Sequence, residues 1–510
     1  MLRMLRALAL VLCLAGCGKS PPPPVVENTN PDNGTVSVDP LRGKPVEHWI
    51  GVIRGLDDEA ASRAAGYLAE AGEPAVPALI EAMKDPSEKV RAKAVVTLGR
   101  IPAKATLKPL IAAFQDDACG DSAVEIVVKL DAAAVPELTT ALTHESPAIR
   151  GRAAQALAEI GSSADESRPA LLKALQDKEP KVRARAAEAL ARIGPAQEDE
   201  AGLVAALKDE NPEVRSQVAA ALGKRGTGAG QAVTPLLNQL QKDKNEDARA
   251  AAAGALGKIR PRTNKDAVAA LRAAAAKDPQ AKVRAEAVAA LGDLGKGDKD
   301  ATKSLVQELI SDLATAAKDR DANVRRNAAQ SLGGYGSRAE KGIPALTALV
   351  SDPEGPTRLA AVTALGKIGE PAVDPGLVKA VRSQHPDVRK AGMEALMKIG
   401  AEAYRAVPAV AGLLQDEDPA ARADAAEFLG VVGPNAEKAV KELAAVLDDP
   451  NDTVRSRTAD ALGKIGKPAV PALIQALQNT NAGVRNQAAT ALAAIGEDGK
   501  AAVPALAQML

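Results

Sequence analysis

The sequence predicts an all-α protein, a right-handed α-solenoid of about 14 stacked two-helix repeats over residues 43–510. Three observations carry this expectation. An Asp, an Arg six positions on, a Leu seven after the Arg and a Gly eleven after it return along the chain, as in residues 176–194 (QDKEPKVRARAAEALARIG), 351–369 (SDPEGPTRLAAVTALGKIG) and 448–466 (DDPNDTVRSRTADALGKIG). Apolar residues between these marks recur at i, i+3 and i+4, the helical period. A fixed period of this length is the signature of repeat architectures, because one helix pair cannot bury its apolar face alone.

The first element is the N-terminal stretch MLRMLRALALVLCLAGCGKS. Arg3 and Arg6 precede a short apolar run from Ala7 to Gly16, too short for a comfortable bilayer span, and this reads as a secretion signal over residues 1–16. The ending Leu14-Ala15-Gly16-Cys17 resembles the lipobox of bacterial lipoproteins. The resemblance implies cleavage before Cys17, diacylglycerol on its sulfur and a place in the bacterial cell envelope, on the extracytoplasmic face of a membrane. Residues 17–42 follow, rich in Pro, Asn, Asp and Gly, with Pro21 to Pro24 in tandem. They predict a disordered tether that, fully extended, would reach on the order of 85 Å.

From residue 43 the repeat takes over. Its arginine falls at Arg91, Arg150, Arg183, Arg215, Arg249, Arg284, Arg325, Arg358, Arg389, Arg422, Arg455 and Arg485, and Ala61 and Gly120 stand in the same phase of two degenerate units. The position seven later is Leu in 13 of the 14 units, from Leu68 to Leu492, and Val127 in the other. Each unit resolves into two helices. The first opens on Pro, as at Pro77, Pro344 and Pro471, where the missing N–H would be orphaned anyway. The second carries the Arg and the Leu and stops near a Gly such as Gly194, Gly295 or Gly369. The units resemble HEAT repeats, especially the subtype described in phycobilisome bilin lyases. That resemblance implies a fold more than a function, since such repeats serve scaffolds, transport receptors and a few enzymes.

Composition narrows the function. Lys and Arg number 65 and Asp and Glu number 65, which argues against a broad electrostatic grip on nucleic acid. Trp49, Tyr67, Phe114, Tyr335, Tyr404 and Phe428 are the only aromatic residues, too few for base-stacking platforms or aromatic walls for sugars, and no small-molecule substrate is expected. No cofactor, metal or catalytic residue is expected from the three histidines and three cysteines. His144-Glu145 is a lone pair at a turn, whereas the di-iron HEAT enzyme deoxyhypusine hydroxylase uses several. His48 lies beside Trp49, Cys119 reads as a small core residue, and His385 is expected in the turn position usually held by Asp. Gly226 to Gly230 reads as a loose loop.

Two charge patterns remain. The repeated Asp is expected to cap the second helix from the inter-helix turn, and the Arg to bond turn carbonyls or the Asp of a neighbour, as the HEAT resemblance implies. Nine positions after the Arg, eight of 14 residues are basic, from Arg100 and Lys129 onward. Arg192, Lys224, Lys258, Lys367, Lys398 and Lys464 are the candidate partner-binding residues of this row, although cations also suit helix C-termini. In HEAT solenoids the second helices usually line the concave side, so their exposed positions, two, five and nine after the Arg, would meet a partner. The expectation is a membrane-anchored, non-catalytic scaffold that binds protein partners. The alternative is an enzyme of the bilin-lyase-like class acting on a protein-bound chromophore.

Overall fold

In the computed structural model, helices alternate with short turns throughout residues 44–55, 58–261, 264–295 and 303–508, which are the residues the structure describes. The tether, Cys17 and the insertion from Lys296 to Asp300, where a bend or proteolytic nick is expected, lie outside them. No strand occurs among the described residues. The chain divides into two units, residues 1–130 and 131–510.

In the first unit, Trp49 of the Val46–Arg54 helix is buried and stacks on Tyr67 with ring centroids 4.6 Å apart. Leu68, Leu98 and Val127, the positions seven after the arginine phase, are fully buried. Cys119 is buried at the start of the Gly120–Val128 helix.

The second unit is a solenoid of 11 helix pairs, one for each arginine from Arg150 to Arg485. Its second helices, such as Pro147–Ile160, Pro180–Ile193, Pro212–Lys224 and Glu246–Ile259, each pack on the next to make one continuous layer. The leucines from Leu157 to Leu462 are at most 1% exposed and form the spine between the two helices of each pair. First helices begin as the sequence dictates, with Pro344 and Pro471 in the first turn of Ile343–Leu349 and Val470–Ala476. Second helices end on glycines with positive φ, for example Gly369 at 92° and Gly466 at 81°, where a Cβ would be strained. Gly295 departs from this expectation. It is the last residue of the Ala281–Gly295 helix, and its missing Cβ leaves room for the Tyr335 ring.

A feature that sequence reasoning passed over sets how closely the layer packs. Eight positions after the arginine stand Gly223, Gly257, Gly333, Gly366, Gly430 and Gly463. A Cβ on Gly257 would lie 2.6 Å from Ala290 Cα, and one on Gly333 would lie 2.9 Å from Ala364 Cα. Real Cβ atoms do not approach that closely, so glycine on one helix and alanine on the next bring the backbones together.

Candidate functional site

The turns between first and second helices form an edge built from arginine and aspartate. Arg183 shows the arrangement. Its Nε and Nη2 donate to both carboxylate oxygens of Asp209 in the next repeat, at 2.7 and 2.9 Å, and its Nη1 donates to the carbonyls of Asp177 and Lys178 in its own turn. The same bidentate contact joins Arg150 to Asp177, Arg215 to Asp243, Arg249 to Asp278, Arg284 to Asp319, Arg325 to Asp352 and Arg422 to Asp449. Arg150, Arg183 and Arg284 are 4–8% exposed, so the guanidinium is fully committed to its neighbours rather than offered to a ligand.

The aspartate acts differently from a helix cap. Asp209 Oδ1 accepts the N–H of Asn211, two residues on, and it is Asn211 that caps the helix, accepting from Glu213 and Val214. Asn245, Asp321, Asp418, Asn451 and Asn481 are caps of the same kind. In these turns two polar residues divide the work, one bracing the turn and one capping the helix, whereas Ser146, Glu179 and Glu354 stand at the cap position without capping.

Electrostatics follow from these bonds. Burial pushes the Asp177, Asp243, Asp319 and Asp352 carboxyls up, but the arginine and backbone N–H donors outweigh it and leave each below the ordinary carboxylate value. The bond from Arg422 dominates at Asp449 and lowers it likewise.

In the first unit one of the two degenerate repeats, that of Ala61, is repaired locally. Ala61 cannot reach Asp85, and Arg54 from the first helix does so instead, Nε to Oδ2 at 2.8 Å. Arg91 bonds Asp116 at 2.7 Å.

One histidine expectation is corrected. His144, not His385, holds the aspartate position, and its Nδ1 accepts the N–H of Ser146. His385 sits at the cap position of Pro386–Ile399 without capping it, and Ser383 holds the aspartate position there. The glycine-rich stretch is not a loose loop. It folds as two short 3-10 turns, Gly226–Gly228 and Gly230–Ala232, pinned by Arg225 Nη2 donating to Gly228 O at 2.7 Å.

The cationic row occupies the opposite end of the second helices. Arg192, Lys224, Lys258, Lys367, Lys398 and Lys464 all lie in the last turn of their helix and all are exposed. Arg192, Lys224 and Lys258 stand on three successive helices, and Lys367 and Lys398 on two more. Asp293 and Gly334 separate these groups, and Val431 precedes Lys464. Their stems pack along the seam: Lys258 Cδ would be 3.4 Å from a Cβ on Gly223, and Lys464 Cδ equally close to one on Gly430. Arg192 also pairs with Glu188 at 2.9 Å. Of the positions two and five after the arginine, Asp460 is exposed as expected, but others are less open. Arg185, Glu188, Gln217 and Arg457 are half-buried, and Arg457 bridges to Asp424 and Glu427 of the preceding repeat at 2.8 and 2.7 Å. Lys258 borders a shallow depression of about 690 Å³ floored by Ala250, Ala251 and Gly254. No cluster that could hold a metal occurs among the described residues, and none of their helices is long and apolar enough to cross a membrane.

This architecture of paired helices on a shared spine places the chain in a known class. HEAT repeats match residues 46–123, 121–191, 168–236, 233–313, 310–397, 375–462 and 440–510. The chain belongs to the HEAT-repeat family. Among solved structures it is similar to Kap95p with RanGDP (13% identity, TM-score 0.51, 90% of this chain and 77% of that one) and to Kap95 in the Kap95:Nup1 complex (14%, 0.51, 91% and 73%). It is also similar to Kap121p (14%, 0.49, 92% of this chain), of which it spans only 59%. At these identities the likeness is one of fold. No curated protein matches the sequence.

Proposed function

We propose that the protein is a non-catalytic scaffold, held at a membrane by lipid on Cys17, that binds acidic protein partners along its layer of second helices. The observation that carries the reading is the row Arg192, Lys224, Lys258, Lys367, Lys398 and Lys464. Six cations stand exposed in equivalent last turns, while arginines of the closed rungs such as Arg150, Arg183 and Arg284 are consumed by structure. The row has few aromatic anchors near it, which favours broad, polar contact over several repeats rather than one hot spot. The neighbours of similar fold point the same way, since RanGDP and Nup1 are themselves proteins in complex with Kap95. An extracytoplasmic envelope location accompanies the lipid anchor and rests on the Leu14-Ala15-Gly16-Cys17 motif.

Two measurements test this. Affinity capture from a native membrane fraction should recover an acidic protein that is released by raised salt, as exposed charge pairs are screened. Retention of the partner at 1 M salt would argue against the cationic row. Cys17→Ser should move the protein out of the membrane pellet, and its unchanged sedimentation, with no acyl mass on the wild-type N-terminus, would sink the anchor.

A further inference from the structure

Two rungs of the arginine edge lack an acid, with Asn479 facing Arg455 and Ser383 facing Arg358, and only the second leaves a buried arginine Nε unpartnered among the described residues. Arg358 donates Nη1 to the carbonyls of Asp352 and Pro353, as Arg325 and Arg422 do to two carbonyls of their own turns. The next repeat should then supply a carboxylate to Nε and Nη2. Six positions before Arg389, where the intact rungs carry Asp, this chain has Ser383. Arg358 Nε is buried with no hydrogen-bond partner, alone in this among the ladder arginines of the described residues. An unmet guanidinium donor out of water is costly, and it marks a place where an acceptor is wanted.

Three further features coincide there. The edge alternates guanidinium and carboxylate through Arg325 and Asp352, but Arg358 and Arg389 follow one another with no acid between them, since Ser383 stands there and Arg389 donates to its carbonyl at 3.1 Å. An open cleft of about 620 Å³ is lined by Ser383, His385, Lys379 and Arg382, with Asp374 its one acidic residue. The helix beside it holds an extra residue: Val373 precedes Arg389 by 16 positions, where Val470 precedes Arg485 by 15. The surplus is taken up in a kinked turn over Val373–Leu377, where Asp374 leaves helical geometry (φ −120°, ψ 124°).

We infer that the gap facing Arg358 at Ser383 is a binding site for a carboxylate, which takes the place that aspartate holds in the intact rungs. A carboxylate is the fitting class because the free pair, Nε and Nη2, is the one that every intact rung presents side-on to two coplanar oxygens. Lys379 and Arg382 add favourable charge at the cleft. The carboxylate comes either from a small free acid or from an acidic side chain of a docked peptide. The inference is independent of the cationic row, which lies at the other end of the same helices.

Thermal unfolding of the full chain tests it. The probes are sodium acetate and a blocked Gly-Asp-Gly peptide, each against sodium chloride at equal ionic strength. Wild type should gain about 2 °C from acetate beyond chloride. Ser383→Asp, which closes the rung from within, should melt higher than wild type in chloride and lose the acetate-specific gain. Arg358→Gln should also lose the gain, whatever its own melting temperature. A peptide response at lower concentration than acetate assigns the site to protein-borne acids, and an acetate response alone assigns it to small acids. Equal acetate gains in wild type, Ser383→Asp and Arg358→Gln would overturn the proposal, as would a Ser383→Asp protein no more stable than wild type in chloride.

Discussion

From Arg150 to Asp352 six successive rungs close bidentately, whereas from Arg358 to Asp416 the same edge loses one acid and stretches the next pair, Arg389 to Asp416, to 3.8 Å. The packing beneath does not change with it. Leu365 and Leu396 are as buried as Leu190 and Leu222, and Gly366 still faces Ala395 as Gly257 faces Ala290. Stacking therefore comes from the leucine spine and the glycine–alanine seam, and the ladder is a second device laid over it. Once present, however, a rung is expensive to break from one side, because the abandoned partner stays where water cannot solvate it.

The largest expected effect follows from that asymmetry. Arg183→Ala strands Asp209 and the carbonyl of Asp177, and should lower stability by about 3 kcal/mol. Arg358→Ala loses only turn carbonyls, and should cost about 1 kcal/mol. Urea melts give the difference. Hydrogen exchange at residues 207–215 and 381–389 locates it, which matters because repeat arrays can open in parts. Equal losses at the two arginines would mean that the rung adds nothing beyond its turn.

The seam should behave alike in both regions. Gly257→Ala and Gly366→Ala place a methyl 2.6 Å from Ala290 Cα and 2.8 Å from Ala395 Cβ, and each should cost about 1–2 kcal/mol despite alanine's better helix propensity. Gly254→Ala meets only the mobile end of Glu286, at 3.1 Å, and should stabilise by roughly 0.5–1 kcal/mol. Melting all three on one protein background separates helix propensity from helix approach.

Acid distinguishes the regions again. Asp177, Asp243, Asp319 and Asp352 are held below their ordinary value of 3.8 in the folded chain. Their contribution is complete above that value and is lost as pH falls through the lowered ones. Stability should drop steeply below pH 3.8, with exchange at 177–183 accelerating more than exchange at 383–389, where no carboxylate titrates in the rung. Asp177→Asn should flatten the acid limb, and an unchanged limb would show that these carboxylates are not what acid attacks.

Much of this was legible in the sequence because the repeat averages out local noise. The spacing of Arg, Leu and Gly gives the helix pairs, and the leucines lie where that spacing puts them. The division of labour in the turn was not legible, since Asp at six and Asn at four before the arginine are both ordinary capping residues, and only the bonds separate brace from cap. Arg54 was hidden because it enters its rung from another helix, out of phase. Ser383 was hidden by His385, a more conspicuous residue two positions on. The glycines eight after the arginine were in plain view, but their meaning depends on the alanine opposite, which lies about 30 residues away in sequence.

Residue for residue, the smallest effect on stability belongs to the cationic row, and it should be the largest on binding. Arg192, Lys224 and Lys258 each suit the negative end of their helix, so reversing all three to Glu loses roughly 0.3–1 kcal/mol apiece, together with the Arg192–Glu188 pair. The leucine spine and the seam are untouched, so helix content by circular dichroism should hold. Capture of an acidic partner should fall by tenfold or more, because three like charges would now face it across successive repeats. Lys367, Lys398 and Lys464 reversed in the same way supply the internal comparison: an equal loss means that the partner spans both groups, and a lesser one assigns it to the run of three. A partner retained by both triple variants, yet lost on substitution of first-helix residues, would move the docking face to the other layer.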